Sequence, residues 1–381
     1  MTLRWIDRRR VSAYSMILLF ASVVATGLAL REALGPDGSD FLAFWSAGRL
    51  VLAGQPAAAY DLAATGAIQA SLGRSEVFAF VNPPPFLLAV WPLGALPFPA
   101  AWAVWVAATY LIWLHVSRPQ TPRLGWPLAA YPGALVAAVH AQTGFVTSAL
   151  QASVARLIER RPIAAGLCLG ALIIKPHLAV LFPFALAADR RWKAFIAAGA
   201  GVALWLALAW AILGTETMLA YRKSWEVSRV LMGEDDAVFF LRQATVYAQF
   251  RAWGLPAAAT VAQVAAMLAA IVWTWRAWAR HADLGAKLAL LFALTPLATH
   301  YLFNYDLPFL ALPTLWLVGR AVEQPAGRFE RLELLTLYLA PSLARAFALP
   351  LGINLTPLVC LWLAWRVWQR LANDSQEMTQ S

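Results

Sequence analysis

Asp40 is the residue whose type and setting most clearly suit chemistry. It follows an apolar run long enough to cross a bilayer and precedes an apolar, aromatic segment, Phe41 to Leu52. A carboxylate there could accept a proton from an attacking hydroxyl as a general base. Lys175 and Arg345 each interrupt an apolar run on its outer part, where a charge is costly without a partner or a task. Either could hold a departing phosphate, whose growing charge needs cations or aligned donors. His140 and Gln142 flank a predicted turn. His300 and Asp306 belong to the cluster Thr299-His300-Tyr301-Leu302-Phe303-Asn304-Tyr305-Asp306 at the outer end of another apolar run. These four, with Arg49, are the remaining candidates for binding a sugar or its phosphate.

Such a set suits transfer of a sugar from a polyprenyl phosphate. The phosphate is a good leaving group, so no strong acid is needed, but the acceptor hydroxyl needs a base. Each residue also has a plainer reading. Asp40 or Ser39 could cap a helix, and Asp61 could cap the next one. Arg49 could meet lipid headgroups. Lys175 could snorkel to the interface. His140, Gln142 and His177 could satisfy freed backbone groups. His300 and Asp306 could belong to an interface belt, and Arg345 could pair inside a bundle.

The elements that must position these groups are membrane helices. Of the 381 residues, 61% are hydrophobic and only 13% charged, and the mean hydropathy is +0.62. A soluble domain carries about 25% charged residues, so this chain could not cover a water-facing surface. The apolar runs are long and unbroken, unlike barrel strands. They lie near 13–30, 80–96, 99–116, 127–157, 162–187, 194–213, 256–275, 286–303, 307–319, 333–349 and 353–368. The expected fold is an all-α polytopic membrane protein, a bundle of about 10–12 transmembrane or re-entrant helices forming one domain over 1–381. The run after Arg8-Arg9-Arg10 is longer than a signal-peptide core and is read as a first span.

Arginine and lysine cluster at Arg4/Arg8/Arg9/Arg10, Arg156/Arg160/Arg161, Arg190/Arg191/Lys193, Arg276/Arg280/Lys287, Arg320/Arg328/Arg331 and Arg366/Arg370. All can lie on one side, which the positive-inside rule makes cytoplasmic, together with both termini. Two less basic loops, about 31–79 and 214–255, then face outward. In the first, Phe41–Leu52 is expected as a helix at the outer membrane interface, ended by Gly54 and Pro56. In the second, the charges Arg222, Lys223, Arg229, Glu234, Asp235, Asp236 and Arg242 are read as mostly solvated, in a loop able to cover an acceptor. If 80–96 and 99–116 both span, Arg118 and Arg123 lie outside. One crossing and one re-entrant piece within 127–157 would then restore parity. Lys175-Pro176 should break 162–187 into two helices that dip toward the outer face and return.

At these residues the chain resembles glycosyltransferase family 87, the polyprenol-phosphate-mannose-dependent α-mannosyltransferase-like membrane proteins of the GT-C fold. The resemblance rests on ordered features. Asp40-Phe41 follows the first span and leads to Gly54-Gln55-Pro56 and Tyr60. Asn82-Pro83-Pro84-Pro85-Phe86 opens a segment closing on Pro92-Leu93-Gly94-Ala95-Leu96-Pro97. Then come Ala141-Gln142, Ala165-Gly166-Leu167-Cys168-Leu169-Gly170, Lys175-Pro176 and Arg190-Arg191-Trp192. Ala141 stands where the family usually has glycine, and Gly144 or Phe145 where asparagine is common. The resemblance covers roughly 13–200, and beyond that only the helix pattern. It implies a GT-C-like bundle, Asp40 as catalytic base, inversion at the anomeric carbon, and a polyprenyl-phosphate hexose donor with mannose as its sugar. The acceptor would be a lipid-linked glycan, a glycolipid or a surface polysaccharide, at the outer face of the cytoplasmic membrane.

No cofactor and no metal are expected. The Glu234-Asp235-Asp236 run lacks a histidine or a second acidic cluster. No Walker loop or dinucleotide glycine pattern occurs, no stretch is polar or long enough to form the soluble domain a nucleotide-sugar enzyme would need, and the +10 charge is read as loop arginine rather than nucleic-acid binding. The other partners expected are membrane lipids. The competing reading is a transporter or flippase for a lipid-linked sugar without covalent chemistry, although no internal repeat of the transporter kind is visible. A weaker one is a non-catalytic scaffold.

Overall fold

The computed structural model describes residues 8–73, 76–234, 236–281, 283–323 and 329–380. Arg4, Asp235 and Arg328 of the readings above lie outside them. The described α-helices of seven residues or more are α1 (Arg8–Ala33), α2 (Phe41–Leu52), α3 (Leu62–Ala70), α4 (Phe98–Ser117), α5 (Pro132–His140), α6 (Gly144–Leu157), α7 (Pro162–Ala171), α8 (Phe182–Ala188), α9 (Trp192–Ala220), α10 (Arg222–Gly233), α11 (Val246–Ala252), α12 (Pro256–Arg280), α13 (Leu284–Ala298), α14 (Ala311–Glu323), α15 (Glu330–Leu351) and α16 (Thr356–Gln380). The chain is an all-α polytopic membrane protein. Among the described residues, α1, α4, α9, α12 and α15 are long and apolar enough to cross a bilayer. Their outer faces show the expected apolar exposure, with Phe20, Leu111, Ile212, Val261 and Phe347 all uncovered by protein.

The segment 80–96 does not form a span. Residues 84–95 are two short 3-10 turns around one α-turn, Leu87–Val90. Twelve residues at about 1.5–2 Å each fall short of a roughly 30 Å hydrocarbon core. Pro83, Pro84, Pro85 and Pro92 remove the backbone donors that a continuous helix needs.

This resolves the parity of the topology. Tyr110 and Trp113 of α4 meet Phe145 at the start of α6. Farther on, Gln120 Nε2 donates to Ala152 O at 2.9 Å. The two helices therefore run in the same direction, and Arg118 and Arg123 end beside the Arg156 cluster rather than on the opposite side. The piece too short to cross is 84–95. The 127–157 run is a pair of helices that rise and return, turning at Ala141-Gln142-Thr143.

The basic ends are tied together by ion pairs. Asp189 holds Arg191 at 2.6 Å and Lys287 at 3.1 Å. Arg320 pairs with Asp283, Arg366 with Glu333, and Arg370 with Glu330. These contacts join α8, α9, α13, α14, α15 and α16 at one end of the bundle. The helix breaks gather at the other end.

Two expectations about the first loop meet different outcomes. The helix Phe41–Leu52 has the expected bounds. However, Phe41, Leu42, Phe44, Trp45 and Leu50 are buried, so protein covers the helix on most sides instead of leaving its face to lipid. Its aromatic rings form a cluster with Phe86, Phe98 and Trp105.

Ala141 ends α5 in the left-handed conformation, φ 47° and ψ 37°. That is why glycine suits this position. A non-glycine residue there costs roughly 1–2 kcal/mol. Part of that is offset, because glycine loses more freedom on folding. Ala141→Gly is therefore expected to leave the protein as stable as before or up to about 1 kcal/mol more stable, read from thermal unfolding in detergent.

Candidate active site

Asp40 stands at the first turn of α2 with φ −52° and ψ −25°, and its side chain makes no capping hydrogen bond. Asp61 behaves oppositely: its carboxylate accepts from Ala63 N at 2.9 Å and Ala64 N at 3.2 Å. The backbone bond from Ala64 leads the causes that hold the Asp61 carboxyl below the usual carboxylate range. Asp61 is thus the cap, and Asp40 is left free for other work. The Asp40 side chain instead lies beside the Gln142 side chain, within the fields of His140, Arg242 and Lys175. It is half-buried, keeping some open surface among crowded neighbours, as a group on a cavity wall does. Burial, the largest influence, pushes its carboxyl above the usual carboxylate range, and the nearby cations only partly oppose this.

The Ala141-Gln142-Thr143 turn delivers His140 and Gln142. Gly144 makes the turn's position possible, because a Cβ there would stand 1.9 Å from the Tyr305 carbonyl oxygen. The turn between α5 and α6 thereby sits on the 3-10 segment Asn304–Leu310, and the His140 ring lies 5.6 Å from that of Tyr305. Tyr305 stacks on Phe303, 5.0 Å between centroids.

Lys175 is placed by the break in 162–187. Residues ahead of proline avoid the helical region, and Lys175 adopts φ −147° and ψ 75° between two 3-10 turns. Its ammonium lies 2.7 and 2.8 Å from the two Asp306 oxygens and 5.0 Å from the Tyr305 ring centroid. Both members of this ion pair are buried. Lys175 is therefore engaged with a protein carboxylate.

Arg345 arrives on α15, which runs alongside α5. Tyr338 Oη donates to Pro127 O at 2.8 Å and Ser342 Oγ to Pro132 O at 2.9 Å. The next part of α15 carries Arg345 to His140, and both feel the charge of Arg242. Arg345 and Arg242 form no ion pair among the described residues.

Arg242 is the member that reading the sequence missed, having been counted with solvated loop charges. Its backbone is strapped in place. Asn304 donates to Arg242 O from its amide at 3.3 Å and from Nδ2 at 2.8 Å. Ala244 N donates to Leu302 O at 2.7 Å. Asn354 Nδ2 donates to Gln243 O at 2.7 Å. No local signal marks Arg242, since its position depends on chain segments about 60 and 110 residues away.

The structure thus brings together Asp40, His140, Gln142, Lys175, Asp306 and Arg345, with Arg242, Tyr301 and Tyr305 added. His300 is exposed at the margin, its ring 6.2 Å from Tyr247, near the half-buried His177. The His177 Nε2 has no partner. Arg49 is not in this group. It is near the other end of α2, over the Trp45 ring.

All of these groups lie at the end of the bundle opposite the paired basic clusters. Beside α5, a cleft of about 310 Å³ runs between α1, α4 and α5, past Val23, Val106, Tyr131 and Ala138. The chain matches the model of glycosyltransferase family 87 over residues 80–300. That range includes His140, Gln142, Lys175, Arg242 and His300. It leaves Asp40, Asp306 and Arg345 outside, and extends past the roughly 13–200 over which the resemblance was read. No curated protein and no solved structure matches the chain. With more than half its length matched, the chain belongs to glycosyltransferase family 87 and is a membrane glycosyltransferase.

Proposed function

We propose that the protein transfers a hexose, with mannose the first candidate, from a polyprenyl phosphate to the hydroxyl of a glycan or glycolipid acceptor, with inversion. The observation that carries this reading is Asp40. It is a carboxylate at a helix start that does no capping and faces Arg242, His140 and Gln142. In the transfer, the acceptor oxygen attacks the anomeric carbon from the face opposite the phosphate. The bond from that carbon to the phosphate oxygen breaks, polyprenyl phosphate departs with the electron pair, and Asp40 takes the acceptor proton. Arg242 and Arg345 meet the departing phosphate, since guanidinium groups bind phosphate in a bidentate manner. Lys175, already matched by Asp306, orients that carboxylate and the Tyr305 ring. Gln142 and His140 orient Asp40, and His300 belongs to the rim where the acceptor enters.

Lipid-borne substrates are supported by the apolar cleft that runs along α5 toward His140. By the positive-inside rule the paired basic end is cytoplasmic, together with both termini, so the site opens on the outer leaflet of the cytoplasmic membrane.

The test uses purified protein in liposomes with radiolabelled polyprenyl-phosphate mannose and glycolipid acceptors. A new glycosidic product, formed more slowly when Arg242 is replaced, is the expected result. Arg242→Gln removes a charge-assisted contact and should lower kcat/KM about 10–100-fold. Movement of the lipid-linked sugar across sealed vesicles with no new glycoside would overturn the reading in favour of a flippase.

A further inference from the structure

The outer part of the N-terminal third carries a second built feature, separate from the candidate active site. α2 lies on residues 84–95 with no side chain between them. A Cβ on Gly48 would stand 2.7 Å from Val90 O, and one on Gly94 would stand 2.4 Å from Arg49 N. This contact fixes the backbone that bears Arg49.

The side chain is fixed as well. The Arg49 guanidinium lies 5.1 Å from the Trp45 ring centroid. The ring cannot swing away, because its indole N–H donates to Leu96 O at 2.9 Å and it packs nearly perpendicular to the Phe98 ring, 5.8 Å between centroids. A cation over an indole face is held by the ring's quadrupole.

Beside this pair opens a groove of about 670 Å³. Its walls include Leu34 beyond the end of α1, Ile68 and Leu72 of α3 and the turn after it, and Phe98 at the start of α4. Arg49 is its one cation among the described residues, and it makes no ion pair among them. The helices α1 and α4, whose ends flank the groove, are those that present Phe20, Val23, Leu111 and Ile112 outward from the bundle.

An occupant must satisfy both halves of this surface. A free inorganic anion would answer the guanidinium and leave the apolar wall wet. A neutral apolar chain would cover the wall and leave the charge unanswered. An anionic amphiphile does both: its phosphate takes the guanidinium fork, and its chains follow the wall toward the bilayer. We infer that this groove is a site for one anionic phospholipid of the surrounding leaflet. The site takes no part in the chemistry of transfer. Bound there, the lipid joins the ends of α1 and α4 to the α2–α3 unit, and so braces the segment that carries Asp40.

The test is native mass spectrometry of the purified protein in detergent, titrated with phosphatidylglycerol and, separately, phosphatidylcholine. The wild-type protein should retain one more phosphatidylglycerol than Arg49→Gln, with affinity about tenfold higher, the effect of one charged hydrogen-bonded contact. Arg49→Lys should keep part of the difference. Ile68→Trp fills the groove without touching the cation, so it should lose the same lipid, and it decides the matter if Arg49→Gln folds poorly. Phosphatidylcholine retention should not change. Equal phosphatidylglycerol retention by the wild-type protein and both groove variants would overturn the site. So would equal loss of both lipids, or displacement of the phosphatidylglycerol by millimolar inorganic phosphate alone.

Discussion

Asp40→Asn should lower kcat for sugar transfer about 10²–10⁴-fold, the usual worth of a positioned general base. Thermal stability should change little, because the carboxylate caps nothing. Asparagine keeps the shape, but it cannot take a proton. The pH profile gives a second readout of the same group. Burial raises the Asp40 carboxyl above the usual carboxylate range. Activity needs the ionised form, so it should fall as pH drops through this raised value. The acidic limb of kcat/KM should lie above the position of an unperturbed aspartate. His140, Arg242 and Lys175 face the group and favour its charged form. In the residual activity of Arg242→Gln the limb should therefore move to still higher pH. An Asp40→Asn protein with wild-type turnover, or a limb that ignores Arg242, would remove Asp40 from the chemistry.

Lys175→Met should destabilise the protein by about 3–5 kcal/mol, because it leaves the buried Asp306 carboxylate without its partner. Asp306 is almost fully buried, and both its oxygens are spent on the ammonium. The double variant Lys175→Met/Asp306→Asn removes both charges and should recover most of the loss. Thermal unfolding of the purified protein in detergent reads both effects. The contrast separates two roles for Lys175. If it were a free phosphate ligand, the single change would raise donor KM and leave the melting temperature alone. If it is the inner half of an ion pair, stability falls first, and the paired change repairs it.

Much of the architecture was legible from residues taken locally. Spans depend on the summed hydropathy of about 20 neighbouring residues, and the helix break at Lys175-Pro176 depends on one proline. The end of α5 at Ala141-Gln142 and the bounds of α2 were likewise readable from nearby residue types. The failures have a common cause. The 80–96 run is apolar enough to suggest a span, but its prolines and its close seat on Gly48 turn it back. Apolar content reports only burial, and protein buries a segment as well as lipid does. The same ambiguity hid the burial of α2, which the fold wraps in aromatic side chains.

The sequence by itself determined a helical membrane chain, its cationic end, its broken helices and the family-like order of its motifs, since each depends on residues adjacent along the chain. The tertiary structure alone decided which charges meet. Lys175 finds Asp306 across 131 residues, Arg242 is drawn in from a loop by Asn304 and Asn354, and Arg49 is left to a groove of its own. Partner choice among buried charges is set by how distant helices pack, and no local spacing encodes that.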